Sequence, residues 1–228
     1  MQYKIMGEPM PVVECKLESG ETMRTERGSM MWMSSNMEMK TNTGGGGLGK
    51  MFGKALMGES VFENQFTPQG GPGMVTFGSS FVGSIKAFDL RGGRTIVCQK
   101  SAFLASEMSV EMSVFFQKKI GAALFGGEGF IMQKMTGEGT VFVEIDGTAI
   151  EYELKEGESM LLDTGCLAMM DGTCQMDIES VKGVKNLLFG GEGAFHTRVT
   201  GPGKILVQTM TLSSFAGKLS PFFKSKSD

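Results

Sequence analysis

The stretch Ala123–Gly139, ALFGGEGFIMQKMTGEG, is written again 64 positions later as Leu187–Gly203, LLFGGEGAFHTRVTGPG. A weaker third form, MGESVFENQFT, begins at Met57. The three align on Gly58, Glu59 and Thr67, on Gly127, Glu128 and Thr136, and on Gly191, Glu192 and Thr200. Self-similarity of this kind means like units stacked against one another, so it is read before any single element.

Working outward, a second phrase falls between the copies of the first. It runs Leu17, Gly20, Met23, Gly28; then Leu90, Gly93, Ile96, Ser101; then Leu154, Gly157, Met160, Gly165. Phrases near 12–34, 85–110 and 149–177 therefore alternate with phrases near 55–77, 123–143 and 187–212. The chain opens with one kind of half and closes with the other. Pairing the first half with the last would remove two sheet edges and close a ring. We expect one β domain over residues 1–228, made of three units around a pseudo-threefold axis.

The units read as strands. In TVFVEIDGTAIEYEL, Thr140–Leu154, apolar Val141, Val143 and Ile145 alternate with their neighbours, and Ile150, Tyr152 and Leu154 alternate with Glu151 and Glu153. Asp146-Gly147 between them tolerates the positive φ of a type I′ turn and predicts a hairpin. The strand from Lys204, KILVQTMTL, is its counterpart in the last unit. The Leu-to-Gly spacing of the second phrase suits a strand ending in a turn. No segment carries a long capped 3.6-residue period, so helices are expected to be few and short. The tail LSPFFKSKSD is expected to be loose.

Composition agrees. Apolar residues make up 41% of 228, enough for a core, and 34 glycines against 6 prolines suit many tight turns. A net charge of -3 argues against a basic nucleic-acid surface. DNA is not expected as a partner, and RNA is disfavoured. Cys15, Cys98, Cys166 and Cys174 match neither a zinc knuckle nor a CxxC pair and read as reduced, small apolar residues. With no apolar leader region and no run of transmembrane length, a cytoplasmic protein is expected.

GGGGLGKMFGKALMGESVFENQFT from Gly44, SAFLAS from Ser101 and the two LFGGEG phrases, in this order, resemble the altered-inheritance-of-mitochondria 24 family. The resemblance spans nearly the whole chain. It implies an all-β fold like that of the trp RNA-binding attenuation protein, with three internal repeats of a TRAP-like or double-stranded β-helix-like β-sandwich module. It also implies assembly into a homotrimer. It implies no established catalytic activity and no agreed ligand.

Several motifs suggest chemistry and fall short of it. Gly44–Met51 fits a phosphate loop up to Lys50, but Met51 stands where a Ser or Thr hydroxyl must hold Mg²⁺. Leu48, Met51, Phe52 and Leu56 lie at helical spacing with Lys50 and Lys54 on another face. Lys50, Phe52 and Lys54 could touch an anionic membrane or a partner, although ten residues with two glycines bind weakly. Glu59, Glu128 and Glu192 would be equivalent in a threefold arrangement, and three carboxylates could hold a hard cation. The simpler reading is that each follows a glycine turn and accepts backbone N–H bonds, or pairs with Gln65, Lys134 or Arg198, six residues on. His196 is the sole histidine, which excludes a multi-histidine metal site and leaves only a Cys–His pair with Cys166 or Cys174. Glu151 and Glu153 share one strand face and read as solvated. Trp32, the sole tryptophan, reads as a core or interface anchor. We therefore expect no catalytic residue, cofactor or metal, and a non-catalytic oligomeric scaffold or binding protein. The alternatives are an RNA- or small-ligand-binding ring and a protein held peripherally at a membrane surface.

Overall fold

The computed structural model describes residues 1–26, 28–42, 63–118, 129–180 and 195–223. They form an all-β protein of four antiparallel sheets. The first sheet has the order β1 (Gln2–Met6), β2 (Val12–Leu17), β7 (Gly73–Gly78), β4 (Met30–Met33). In the second the order is β5 (Met37–Asn42), β6 (Glu63–Pro68), β3 (Met23–Glu26), β10 (Phe103–Glu107), β13 (Thr140–Asp146), β8 (Gly83–Asp89). The third runs β11 (Val110–Lys118), β12 (Phe130–Gly137), β9 (Ile96–Gln99), β16 (Leu167–Asp171), β19 (Gly203–Gln208), β14 (Ala149–Leu154). The fourth is β15 (Ser159–Asp163), β18 (Phe195–Thr200), β17 (Gln175–Ser180). One α-helix, α1 (Leu212–Leu219), is present among the described residues.

Strand β13 explains why the core divides as it does. Its side chains alternate between two faces, and both faces are buried. Val141, Val143 and Ile145 pack with Phe88, Ile96, Phe103 and Leu206. Phe142 points the other way, among Val13, Leu17, Phe66 and Phe77. Each such large side chain contributes about 2 kcal/mol of burial. A third core under β18 gathers Val97, Phe130, Leu167, Val199 and Ile205.

The glycine turns of the second phrase form as the sequence predicts. Leu17, Leu90 and Leu154 are buried where β2, β8 and β14 end, and Gly20, Gly93 and Gly157 follow at φ of 89°, 85° and 75°. A side chain is strained in that region, which is why glycine stands in the turn each time.

Two expectations are corrected. First, Thr140–Leu154 is not a hairpin. β13 already has β8 on one side and β10 on the other, so no edge of it is left for β14, which pairs with β19 in the third sheet. Gly147 does take a positive φ of 71°, but the turn carries the chain from one sheet into the next. Its N–H donates to the Val82 carbonyl at 2.8 Å, and the Asp146 N–H donates to Gln208 Oε1 at 3.0 Å.

One short helix precedes the tail, in keeping with the expectation that helices are few and short. Thr211 Oγ1 caps α1 by accepting the Ser214 N–H at 3.0 Å, Asp146 accepts the Leu212 N–H at 2.8 Å, and Phe215 packs on Phe81 at 5.2 Å between ring centroids. Second, among the described residues the first sheet and the fourth do not join. β4 is the outermost strand of the first sheet and β15 the outermost strand of the fourth.

Candidate functional site

The outer edges of β4 and β15 are best understood from the two joints the chain makes between repeated strands. In the second sheet β10 joins β3, with Ala105 opposite Thr25, Ser106 opposite Arg24 and Glu107 opposite Met23. In the third, β16 joins β9, with Met169 opposite Cys98, Met170 opposite Val97 and Asp171 opposite Ile96. Behind each joining strand runs a partner, β13 or β19, and each pairing shifts register at one bulge, between Phe103 and Ala105 or between Leu167 and Met169.

Strand β4 has the same partner arrangement and, among the described residues, no neighbour beyond it. It pairs with β7, and its register shifts between Met30 and Trp32. Ser34 closes the strand by accepting the Met74 N–H through its hydroxyl at 2.8 Å. Leu104 and Ala105 are fully buried in the first joint, and Ala168 and Met169 are buried in the second. At the corresponding places on β4, Met31 is 52% exposed and Trp32 47% exposed. On the other edge, Leu161 of β15 is 47% exposed, whereas Val97 of β9 is buried. A row of unpaired backbone groups beside large apolar side chains is a ready pairing surface.

The joints differ in polarity. Arg24 bonds Ser106 Oγ at 3.1 Å, Glu63 at 3.2 Å and the Val110 carbonyl, so the first is built around a guanidinium. The second opposes Val97 to Met170 and is apolar. Met33 and Leu161 give the open edges the second kind of surface.

Sequence reasoning missed these edges. Their signal was local: Met30-Met31-Trp32-Met33 and Met160-Leu161-Leu162 are unbroken apolar runs on strands, and such runs call for burial on both faces.

Glu59, Glu128, Glu192, Lys50, Phe52 and Lys54 lie outside the described residues, as does the glycine run from Gly44 to Gly49. Among the described residues no group of three or more His, Cys, Asp and Glu side chains is placed to hold a metal. Arg198 is occupied by Glu179, at 2.6 and 3.2 Å, and Gln65 by Glu63 at 2.8 Å. His196 on β18 lies across from Asp163 and Glu179. The Cys174 thiol donates to the Pro202 carbonyl at 3.6 Å, and burial, aided by Asp171, pushes it up. Burial, aided by Asp163, also pushes the Cys166 thiol up. Neither suits a nucleophile, which must be a thiolate.

Glu151 on β14 pairs with Lys204 at 2.8 Å. A shallow groove of about 460 Å³, lined by Met1, Lys16, Leu17, Ser34, Asn36 and Met74, runs beside the start of the first sheet. No helix among the described residues is long and apolar enough to cross a membrane.

Comparison with known proteins adds family and fold. The family model described as mitochondrial biogenesis AIM24 matches residues 3–210. An uncharacterized protein of Streptococcus pyogenes serotype M6 is 31% identical over 225 residues, covering 96% of this chain and 89% of its own. An X-ray crystal structure of a Streptococcus pyogenes protein, determined by the Northeast Structural Genomics Consortium, superposes with a TM-score of 0.82. The identity there is 26%, over 97% of this chain and 99% of that one.

Proposed function

This chain belongs to the mitochondrial biogenesis AIM24 family, and we propose that it works as a non-catalytic scaffold or binding protein, assembled as a homotrimer from chains of three internal repeats. One observation carries the reading: β4 and β15 end their sheets with Met31, Trp32 and Leu161 exposed, where strands at corresponding places are covered. An apolar strand edge left open on one chain is satisfied by another.

The repeat reading is supported by bonds that recur between corresponding strands. The Met74 N–H donates to Ser34 Oγ at 2.8 Å, the Thr140 N–H to Glu107 Oε2 at 2.6 Å, and the Lys204 N–H to Asp171 Oδ2 at 3.0 Å. Hydroxyls pair in the same manner, Thr22 with Thr67 at 2.7 Å and Ser159 with Thr200 at 2.8 Å. A pseudo-threefold relation of the three units is the arrangement proposed for them. The absence of catalysis in this reading rests on the Cys166 and Cys174 thiols, which burial pushes up.

Sedimentation velocity tests the assembly. The expected species at micromolar concentration has about three times the 24.5 kDa mass of one chain; a single-chain species there rejects the reading.

A second reading has its own observation. Phe222 and Phe223 are 82% and 72% exposed just after α1, and Lys218, Lys224 and Lys226 flank them in sequence. Exposed aromatics with lysines suit peripheral contact with an anionic membrane surface. Co-sedimentation with phosphatidylglycerol vesicles tests it, with retention lost in a Phe222→Ser, Phe223→Ser chain; equal retention of both chains rejects it.

A further inference from the structure

We propose that β4 of one copy pairs antiparallel with β15 of the next, head to tail, with Trp32 opposite Leu162, Met33 opposite Leu161 and Ser34 opposite Met160. This rests on the oligomeric reading above and adds the strands, their direction and their register to it.

The chain supplies the template twice. Both internal joints are antiparallel, and both use the three residues after the bulge on the joining strand. Counted from the bulge, Trp32, Met33 and Ser34 stand where Ala105, Ser106 and Glu107 stand, and where Met169, Met170 and Asp171 stand. The receiving strand is fixed in the same way by its inner neighbour. Met23 faces Phe66 on β6, Ile96 faces Met135 on β12, and Met160 faces Val199 on β18. Met160, Leu161 and Leu162 therefore stand where Met23, Arg24 and Thr25 stand in the first joint, and where Ile96, Val97 and Cys98 stand in the second.

Superposing the open edges on either template gives the stated register. The resulting sheet has the order β17-β18-β15 from one copy and β4-β7-β2-β1 from the next. It matches the two complete sheets strand for strand, with β1 as one addition.

The occupant is a second copy for three reasons. Each edge presents the half-sheet that the other lacks. Among the described residues of one chain both strands remain outermost. The facing residues, Met33 and Leu161, reproduce the apolar pairing of Met170 with Val97. Each copy carries one β4 edge and one β15 edge, so the contact is between unlike surfaces and leads to a ring when the rotation closes. The joint also buries Trp32, the only tryptophan, which becomes its reporter.

The test uses single added cysteines in a Cys166→Ser chain, whose remaining Cys15, Cys98 and Cys174 are buried. Chains carrying Met33→Cys are mixed with chains carrying Leu161→Cys and mildly oxidised. Ser34→Cys is paired with Met160→Cys in a second mixture, because neighbouring positions of an antiparallel pair alternate between close and wide spacing and a disulfide needs Cβ atoms about 3.8 Å apart.

A covalent dimer is expected in at least one mixture and in neither chain alone, with none when Met33→Cys is mixed with Ser159→Cys. No dimer in either mixture overturns the joint. So does a double Met33→Cys, Leu161→Cys chain that oxidises only within itself, because the edges then close inside one chain. A foreign polypeptide co-purifying on the edge would overturn it too. Sedimentation of the unaltered chain separates the failures: an oligomer without the cross-link ends this joint and leaves the oligomeric reading, and a monomer ends both. A Leu161→Asp chain needs no cysteine, and is expected to keep its circular dichroism while losing the oligomer and red-shifting Trp32 emission.

Discussion

The Glu144 carboxylate accepts the Ser80 backbone N–H at 2.6 Å, with the Ser80 and Ser79 hydroxyls donating to the same oxygen at 2.9 and 3.0 Å. Gln208 has the same role in the next sheet, where its Oε1 accepts the Asp146 N–H. A carboxylate and a carboxamide thus tie successive crossings together. Burial holds the Glu144 carboxyl above its usual range, against the pull of those donors.

A stability–pH prediction follows from that carboxyl. The folded protein holds the proton more tightly than the unfolded chain, so the associated stability is fully present below the unfolded value of about 4.5 and is lost as pH rises through the elevated one. Urea midpoints measured from pH 4.5 to 7 should fall less steeply in Glu144→Gln than in the unaltered protein. At neutral pH that variant should stay within about 1 kcal/mol, whereas Glu144→Ala, which removes the shared acceptor of three bonds, should cost about 1–3 kcal/mol. Equal slopes in the two proteins would contradict the assignment.

Two glycines should respond differently to alanine. Gly93 has a φ of 85° and open space where a Cβ would sit, so Gly93→Ala carries only the backbone cost of about 1–2 kcal/mol. A Cβ on Gly83 would overlap the Ile145 carbonyl across the β8–β13 pair, which demands a backbone shift. Gly83→Ala should cost more than about 4 kcal/mol or prevent folding. Chemical denaturation of both variants checks the contrast.

The terminal helix should melt alone. No residue of α1 is buried, and it is held by its Thr211 cap, the Asp146 carboxylate and the Phe81 ring. Thr211→Ala should remove about 1 kcal/mol from the helix. Hydrogen exchange should speed up across residues 212–219 while protection of β13 stays unchanged.

Thiol reactivity should be ordered. Cys15, Cys98 and Cys174 are buried, and burial pushes the Cys15 thiol up to about 12. Cys166 is half-buried. In folded protein at pH 8, iodoacetamide should modify Cys166 first and leave Cys15 intact until denaturant is added, as peptide mapping will read.

The strands and their glycine turns were legible because alternation and positive φ are local properties. Leu154-to-Gly157 told where β14 ends without any knowledge of its neighbours. Asp146-Gly147 misled for the same reason: it reports a backbone angle, while the sheet that β14 enters depends on β8 and β10 already flanking β13. Closure of the chain on itself was a global inference from the order of phrases, and the outermost places of β4 and β15 among the described strands overturned it. The apolar run at Met30–Met33 held the missing information, but a sequence does not tell whether the strand that covers it comes from the same chain or another. Helix α1 went unread because LSSFAGKL carries a glycine and spans only two turns.

Trp32 offers the most direct measurement of the claim that copies join through their open edges. Acrylamide quenching of its emission is followed as the unaltered protein is diluted from micromolar concentration. Strong shielding at the start, giving way to the accessibility of the Leu161→Asp chain on dilution, is the predicted result. Quenching that is already as strong at micromolar concentration as in Leu161→Asp, and unchanged by dilution, would contradict it.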